Sequence, residues 1–91
     1  MTNHEIALIF FEIGEMLEAQ GVPFKPQTYQ QAAIALDNLE ADIRQVYDQG
    51  GVKALMILPA IGDSMAAKIE EYIMTGKVAL HQELTQKMES A

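Results

Sequence analysis

The side chains that could carry chemistry in this 91-residue chain are few. The absence of cysteine removes thiolate nucleophiles, disulfides and thiolate zinc sites. The two histidines, His4 and His81, lack ligand spacing, make no metal site alone and read as surface residues. Glu70 and Glu71 are adjacent carboxylates without an acid or base partner nearby, so paired-carboxylate glycoside hydrolysis has no support. No metal and no cofactor is expected. The most specific stretch is Leu58-Pro59-Ala60-Ile61-Gly62-Asp63-Ser64-Met65-Ala66-Ala67-Lys68-Ile69, a turn and the start of a helix with one amine, Lys68. Its plain reading is a boundary lysine without chemistry.

The elements that must position these residues are all helical. Thr2-Asn3 with Glu5 forms a candidate capping box for a helix over about 3–20, stopped by Gly21 with Pro23 beyond. Ile6, Ile9, Phe10, Ile13 and Leu17 recur at helical spacing, opposite Glu5, Glu12, Glu15 and Glu18. A second helix starts at Pro26, carries Tyr29, Ala32, Ala33, Leu36 and Leu39 on one face, and ends near Asp37-Asn38. A third covers about Glu40–Asp48, and Gly50-Gly51 breaks it. A short helix, Val52–Ile57, the Leu58–Gly62 turn, a helix over Asp63–Thr75 ending at Gly76, and a last helix near Leu80–Met88 complete the chain. No stretch alternates with period two. The expected fold is an all-α orthogonal bundle of five or six short helices, a single domain over residues 1–91. Its expected core is Phe10, Phe11, Leu17, Leu36, Leu55, Ile69 and Ile73.

Charge narrows the partners. Six Lys+Arg against thirteen Asp+Glu give a net charge of −7, which repels nucleic acid and anionic membranes unless the cations share one face. Hydrophobic residues make up 49% of the chain, too many for a disordered tail. No apolar run reaches the roughly 18 to 20 residues of a membrane span. The start, Thr2-Asn3-His4-Glu5, lacks the basic region of a signal peptide, so a cytoplasmic location is expected.

The stretch from Leu58 to Ile69 resembles a helix-hairpin-helix, whose pattern is Leu-Pro-Gly-hydrophobic-Gly, a short basic or polar stretch, then Ala-x-Lys-Ile. Such hairpins present backbone N–H groups to a DNA phosphate, independent of sequence. The likeness extends through Pro23-Phe24-Lys25, Tyr29-Gln30-Gln31-Ala32-Ala33, Gly50-Gly51 and Ile73-Met74-Thr75-Gly76-Lys77. Over this length the chain is similar to the amino-terminal lyase domain of family X DNA polymerases, polymerase beta-like, with its hairpin at about residues 52–75. The resemblance implies binding to gapped DNA and 5′-deoxyribose-phosphate lyase activity. In those terms Lys68 falls at the Schiff-base lysine, Tyr29 at the active-site tyrosine, and Lys25 and Gly62 at phosphate-binding positions.

The departures from that pattern all act against phosphate. Ser64, Ala67 and Leu80 stand where polymerase beta-like domains carry lysine, glutamate and lysine. Ala60 replaces a turn glycine, so its methyl blocks close approach, and a positive φ there would cost about 1 kcal/mol or more. Asp63 caps its helix but competes with phosphate for the same N–H groups. Stepping about 100° per residue along the helix puts Met65, Ala66, Tyr72 and Ile73 inward with Ile69. Asp63, Ala67, Glu70, Glu71 and Met74 then lie outward. Met56, Ile57, Ala60, Asp63, Ala67 and Met74 therefore read as an apolar and acidic protein-binding face. Natural divergence and engineering each produce such a face, and its concentration points to an engineered scaffold. The favoured expectation is a protein-binding module whose partner is another protein. The alternative is the lyase acting through Lys68, with gapped DNA bound only weakly.

Overall fold

The first helix places Ile6, Ala7, Phe10, Ile13 and Leu17 on one stripe, and burial of that stripe organises the chain. A computed structural model describes residues 2–90. Its helices are α1 (Thr2–Ala19), α2 (Lys25–Asn38), α3 (Ile43–Met56), α4 (Asp63–Thr75) and α5 (Ala79–Ser90). The described residues contain no strand, and the all-α bundle expected from the periodicity is the fold. No helix among them is long and apolar enough to cross a membrane.

Helix α1 ends in a Schellman motif. Gly21 takes φ +76°, its N–H donates to the Glu18 carbonyl, and the Val22 N–H donates to the Leu17 carbonyl. Among the described residues, Asn3 makes tertiary contacts instead of capping bonds to the first turn. It is buried, donating to the Ala41 carbonyl at 2.7 Å and accepting from the Ile43 N–H at 2.9 Å. A buried amide must find partners, and here those partners tie α1 to the start of α3. Glu5 is likewise drawn to a tertiary partner, accepting from the Tyr72 hydroxyl at 2.5 Å.

Helix α2 packs along α1 through Tyr29, Ala32, Ala33 and Leu36. Gly14 allows the approach, since a Cβ there would stand 3.1 Å from the Pro26 carbonyl oxygen. Helix α3 starts at Ile43 rather than Glu40, because the Asp42 side chain accepts from the Arg44 N–H and fixes the cap. Gly51 sits at φ +64°, ψ −154°, far from helical values, so α3 is two helical segments that meet at a kink where the Gly50-Gly51 pair was expected to break the chain.

Helix α4 spans the expected Asp63–Thr75, with Met65, Ala66, Ile69 and Tyr72 inward. Gly76 ends it at φ +80°. Glu71 accepts from the Ala79 N–H at 2.8 Å and so caps α5. In the core, Phe10, Leu17, Leu36, Leu55 and Ile69 are buried as expected, whereas Phe11 and Ile73 only pack against its edge. Leu8, apolar but off the buried stripe of α1, is exposed.

Candidate nucleic-acid interface

The N-terminal turns of α2 and α4 and the start of α5 enclose a cleft of about 300 Å³. Its walls are Leu17, Lys25, Thr28, Tyr29, Ser64, Met65, Lys68 and Leu80. Lys25, Tyr29 and Lys68, which lie up to 43 residues apart in sequence (68 − 25), thus meet in one place. The Lys68 ammonium lies 5.8 Å from the centroid of the Tyr29 ring, a cation–π distance. Its remaining contact is the Ser64 hydroxyl at 3.3 Å, one helical turn earlier. A half-buried lysine with only a weak hydroxyl partner keeps donors available to an anion.

Tyr29 is both a core and a cleft residue. Its ring packs edge-on against Phe10 at 5.6 Å, as a core tyrosine should. Its hydroxyl has no hydrogen-bond partner among the described residues, and burial pushes the phenol up to about 12. At neutral pH it is an uncharged O–H donor on a residue that lines the cleft.

A residue not singled out in the sequence precedes Lys25 in the chain. Phe24 has φ +68°, ψ −45° and is 82% exposed. The Lys25 N–H donates to the Pro23 carbonyl at 2.8 Å, so Phe24 is the centre of a strained γ-turn. A bulky residue at positive φ costs free energy. Nothing in the core repays it, because the ring points to solvent.

The hairpin carries the strain expected of its alanine: Ala60 adopts φ +66°. Gly62, the residue before α4, is extended and offers no side-chain cap, leaving the first N–H groups of α4 facing outward with Asp63. Met56, Ile57, Ala60, Asp63, Ala67 and Met74 are all exposed, Ile57 to 84% and Met74 to 70%. The Met74 sulfur lies 3.9 Å from the Tyr47 hydroxyl, in the half of α3 before the Gly51 kink, whereas Met56 and Ile57 follow that kink.

The remaining candidates have structural partners. Glu70 and Glu71 are half-buried rather than fully outward. Glu70 accepts from the Tyr47 hydroxyl at 2.6 Å, which raises that phenol, and Glu71 caps α5. His4 contacts Asp37 at 3.0 Å. His81, less exposed than expected of a surface residue, contacts Glu12 at 2.7 Å and joins α5 to α1. No group of His, Cys, Asp and Glu among the described residues could hold a metal ion.

The sequence profile of the helix-hairpin-helix domain matches residues 1–78, and the chain belongs to that family. No curated protein matches it. The matched region includes the hairpin and the residues that build the cleft apart from Leu80, which α5 contributes.

Proposed function

We propose that this domain binds a DNA end, holding a terminal phosphate in the Lys25–Tyr29–Lys68 cleft, and that Lys68 is the nucleophile of a 5′-deoxyribose-phosphate lyase. The observation that carries this reading is the convergence of two lysines and a free phenolic O–H on one cleft. Helix-hairpin-helix domains commonly bind nucleic acid. Phosphate recognition of this type is sequence-independent, and Phe24 beside Lys25 supplies an exposed ring on which an unpaired base stacks. Lys68 Nζ adds to the C1′ aldehyde of the abasic sugar and water leaves, forming the imine. Loss of a C2′ proton to solvent then breaks the C3′–O bond and frees the downstream strand with its 5′-phosphate.

The test is borohydride trapping on a gapped duplex bearing a 5′-deoxyribose phosphate at low salt, beside the Lys68→Ala variant. A covalent adduct formed by the parent protein and absent from the variant is the expected result. DNA binding without an adduct would remove the lyase and retain the binding. Neither binding nor adduct, from protein shown to be folded by circular dichroism, would favour a second reading, the protein-binding face at Met56, Ile57, Ala60, Asp63, Ala67 and Met74. The observation behind that reading is the exposure of Ile57 and Met74.

A further inference from the structure

A second cleft, of about 310 Å³, lies on another part of the surface, between the end of α2 and the hairpin turn. Ala35, Leu36 and Leu39 form one wall, Leu58, Pro59 and Ile61 the other, and Asn38 sits at the edge. It contains no residue of the lysine cleft, and its size is at the lower end for binding pockets, enough for one or two large side chains. Its walls are apolar apart from Asn38, and the chain next to Leu58 continues with the exposed Ile57.

The charged residues nearest this cleft along the chain have one sign. Asp37, Glu40, Asp42 and Asp63 all lie within three residues of a lining residue, whereas no Lys or Arg lies within four. The last turn of α2 has no basic side chain, so the negative end of its dipole is uncompensated by a cation on that helix. His4 contacts Asp37, and the Asp42 carboxylate accepts from the Arg44 backbone N–H. Glu40 and Asp63 form no ion pair among the described residues. An apolar slot at a helix C-terminus, with acids and no lysine or arginine on the chain next to its walls, suits a ligand that is apolar in the middle and cationic at its flanks.

We propose that this slot is a docking site for a protein segment that presents a large aliphatic or aromatic side chain between lysines or arginines. The aliphatic group fills the space between Leu39 and Leu58, and the flanking cations face Asp37, Glu40 and the α2 carbonyls. Charge complementarity argues against a second copy as the occupant, because the chain carries −7 overall and its own exposed Ile57 is not flanked by paired cations. The proposal is independent of the lysine cleft and stands or falls separately from the DNA reading.

The test uses the full chain, isotopically labelled, titrated with a synthetic peptide of two leucines flanked on each side by two lysines. The expected result is saturable shifts in the backbone correlation spectrum at Ala35, Asn38, Leu39, Leu58 and Ile61, with none at Tyr29 or Lys68. A peptide with glutamates in place of the lysines should bind at least about tenfold more weakly. Ala35→Arg, which puts a cation into the half-buried wall, should weaken lysine-peptide binding by a similar factor while the circular dichroism spectrum is retained. Shifts centred on Lys68, equal binding of the glutamate peptide, or no shifts at millimolar peptide would each overturn the proposal. So would sedimentation showing that these residues are covered by self-association.

Discussion

Two single residues hold the backbone where side-chain sterics oppose it, and they differ in what they gain from it. Ala60 takes φ +66° in the hairpin turn and Phe24 takes φ +68° before α2. Left-handed conformation costs a non-glycine residue roughly 1–2 kcal/mol, part of which glycine gives back through its more flexible unfolded chain. Ala60→Gly and Phe24→Gly should therefore each raise stability, by up to about 1 kcal/mol, read as a higher urea midpoint with unchanged slope. Their effects on DNA should diverge. Ala60→Gly removes a methyl from the surface next to Gly62, so it should tighten binding, while Phe24→Gly removes the exposed ring and should weaken binding to a gap with an unpaired base. Equal affinity for parent and Phe24→Gly would show that the strained turn has no part in the interface. Ala60 is where sequence reasoning and backbone agree most directly, since an alanine takes the positive φ that favours glycine at this turn. Phe24 escaped that reasoning because a solvent-facing phenylalanine has no periodicity to mark it, and nothing in its residue type signals a positive φ.

At the scale of elements, joints decide more than helices do. Gly51, at φ +64° and ψ −154°, occupies a region open essentially only to glycine. Gly51→Ala should cost about 1–3 kcal/mol and, by straightening α3, move the hairpin relative to the cleft. Thermal denaturation checks the first effect and loss of DNA binding by the folded variant the second. The helices themselves were legible because each buries a 3.6-residue stripe: α4 ends where Gly76 puts it, and Met65, Ala66, Ile69 and Tyr72 face inward. Local signals failed where a distant partner outbid them. The Thr2-Asn3-Glu5 box was a valid local cap, yet Asn3 satisfies the α2–α3 connection and Glu5 takes the Tyr72 hydroxyl. Neither partner is visible in the sequence. The three tyrosines give these joints a pH signature. Tyr29 is pushed up to about 12 by burial, Tyr72 is raised by its hydrogen bond to Glu5, and Tyr47 by its bond to Glu70. A raised phenol keeps its proton in the folded state while the unfolded chain loses it near pH 10. Stability should be unaffected by these groups below pH 10 and fall between about pH 10 and 12. Urea midpoints measured across that range, with tyrosinate absorbance followed in parallel, check the sign; midpoints level to pH 12 would remove the role of the three phenols.

The whole molecule sets how strongly any anion can be held. A net charge of −7 repels DNA at long range, so attraction must come from a few cations at short range. The proposed cleft offers Lys25 and Lys68, and Lys77, exposed beyond α4, is the next lysine along the chain. Each phosphate neutralised on duplex DNA contributes about −0.9 to the slope of log affinity against log salt. Two or three contacts therefore predict a slope of about −2 to −3, far shallower than that of a protein with a broad basic surface. Fluorescence anisotropy on gapped DNA over a salt series measures it, and Lys68→Ala should reduce its magnitude by about 1. A slope near zero in the parent would mean that no phosphate is neutralised. A slope much steeper than −3 would require cations that this chain does not group near the cleft. The same arithmetic makes a free 5′-phosphate the preferred target over continuous duplex, because an end concentrates charge where two lysines and a phenolic donor converge. Affinity should accordingly fall when the 5′-phosphate of the gap is removed, and the loss should vanish in Lys68→Ala if Lys68 is the group that reads it.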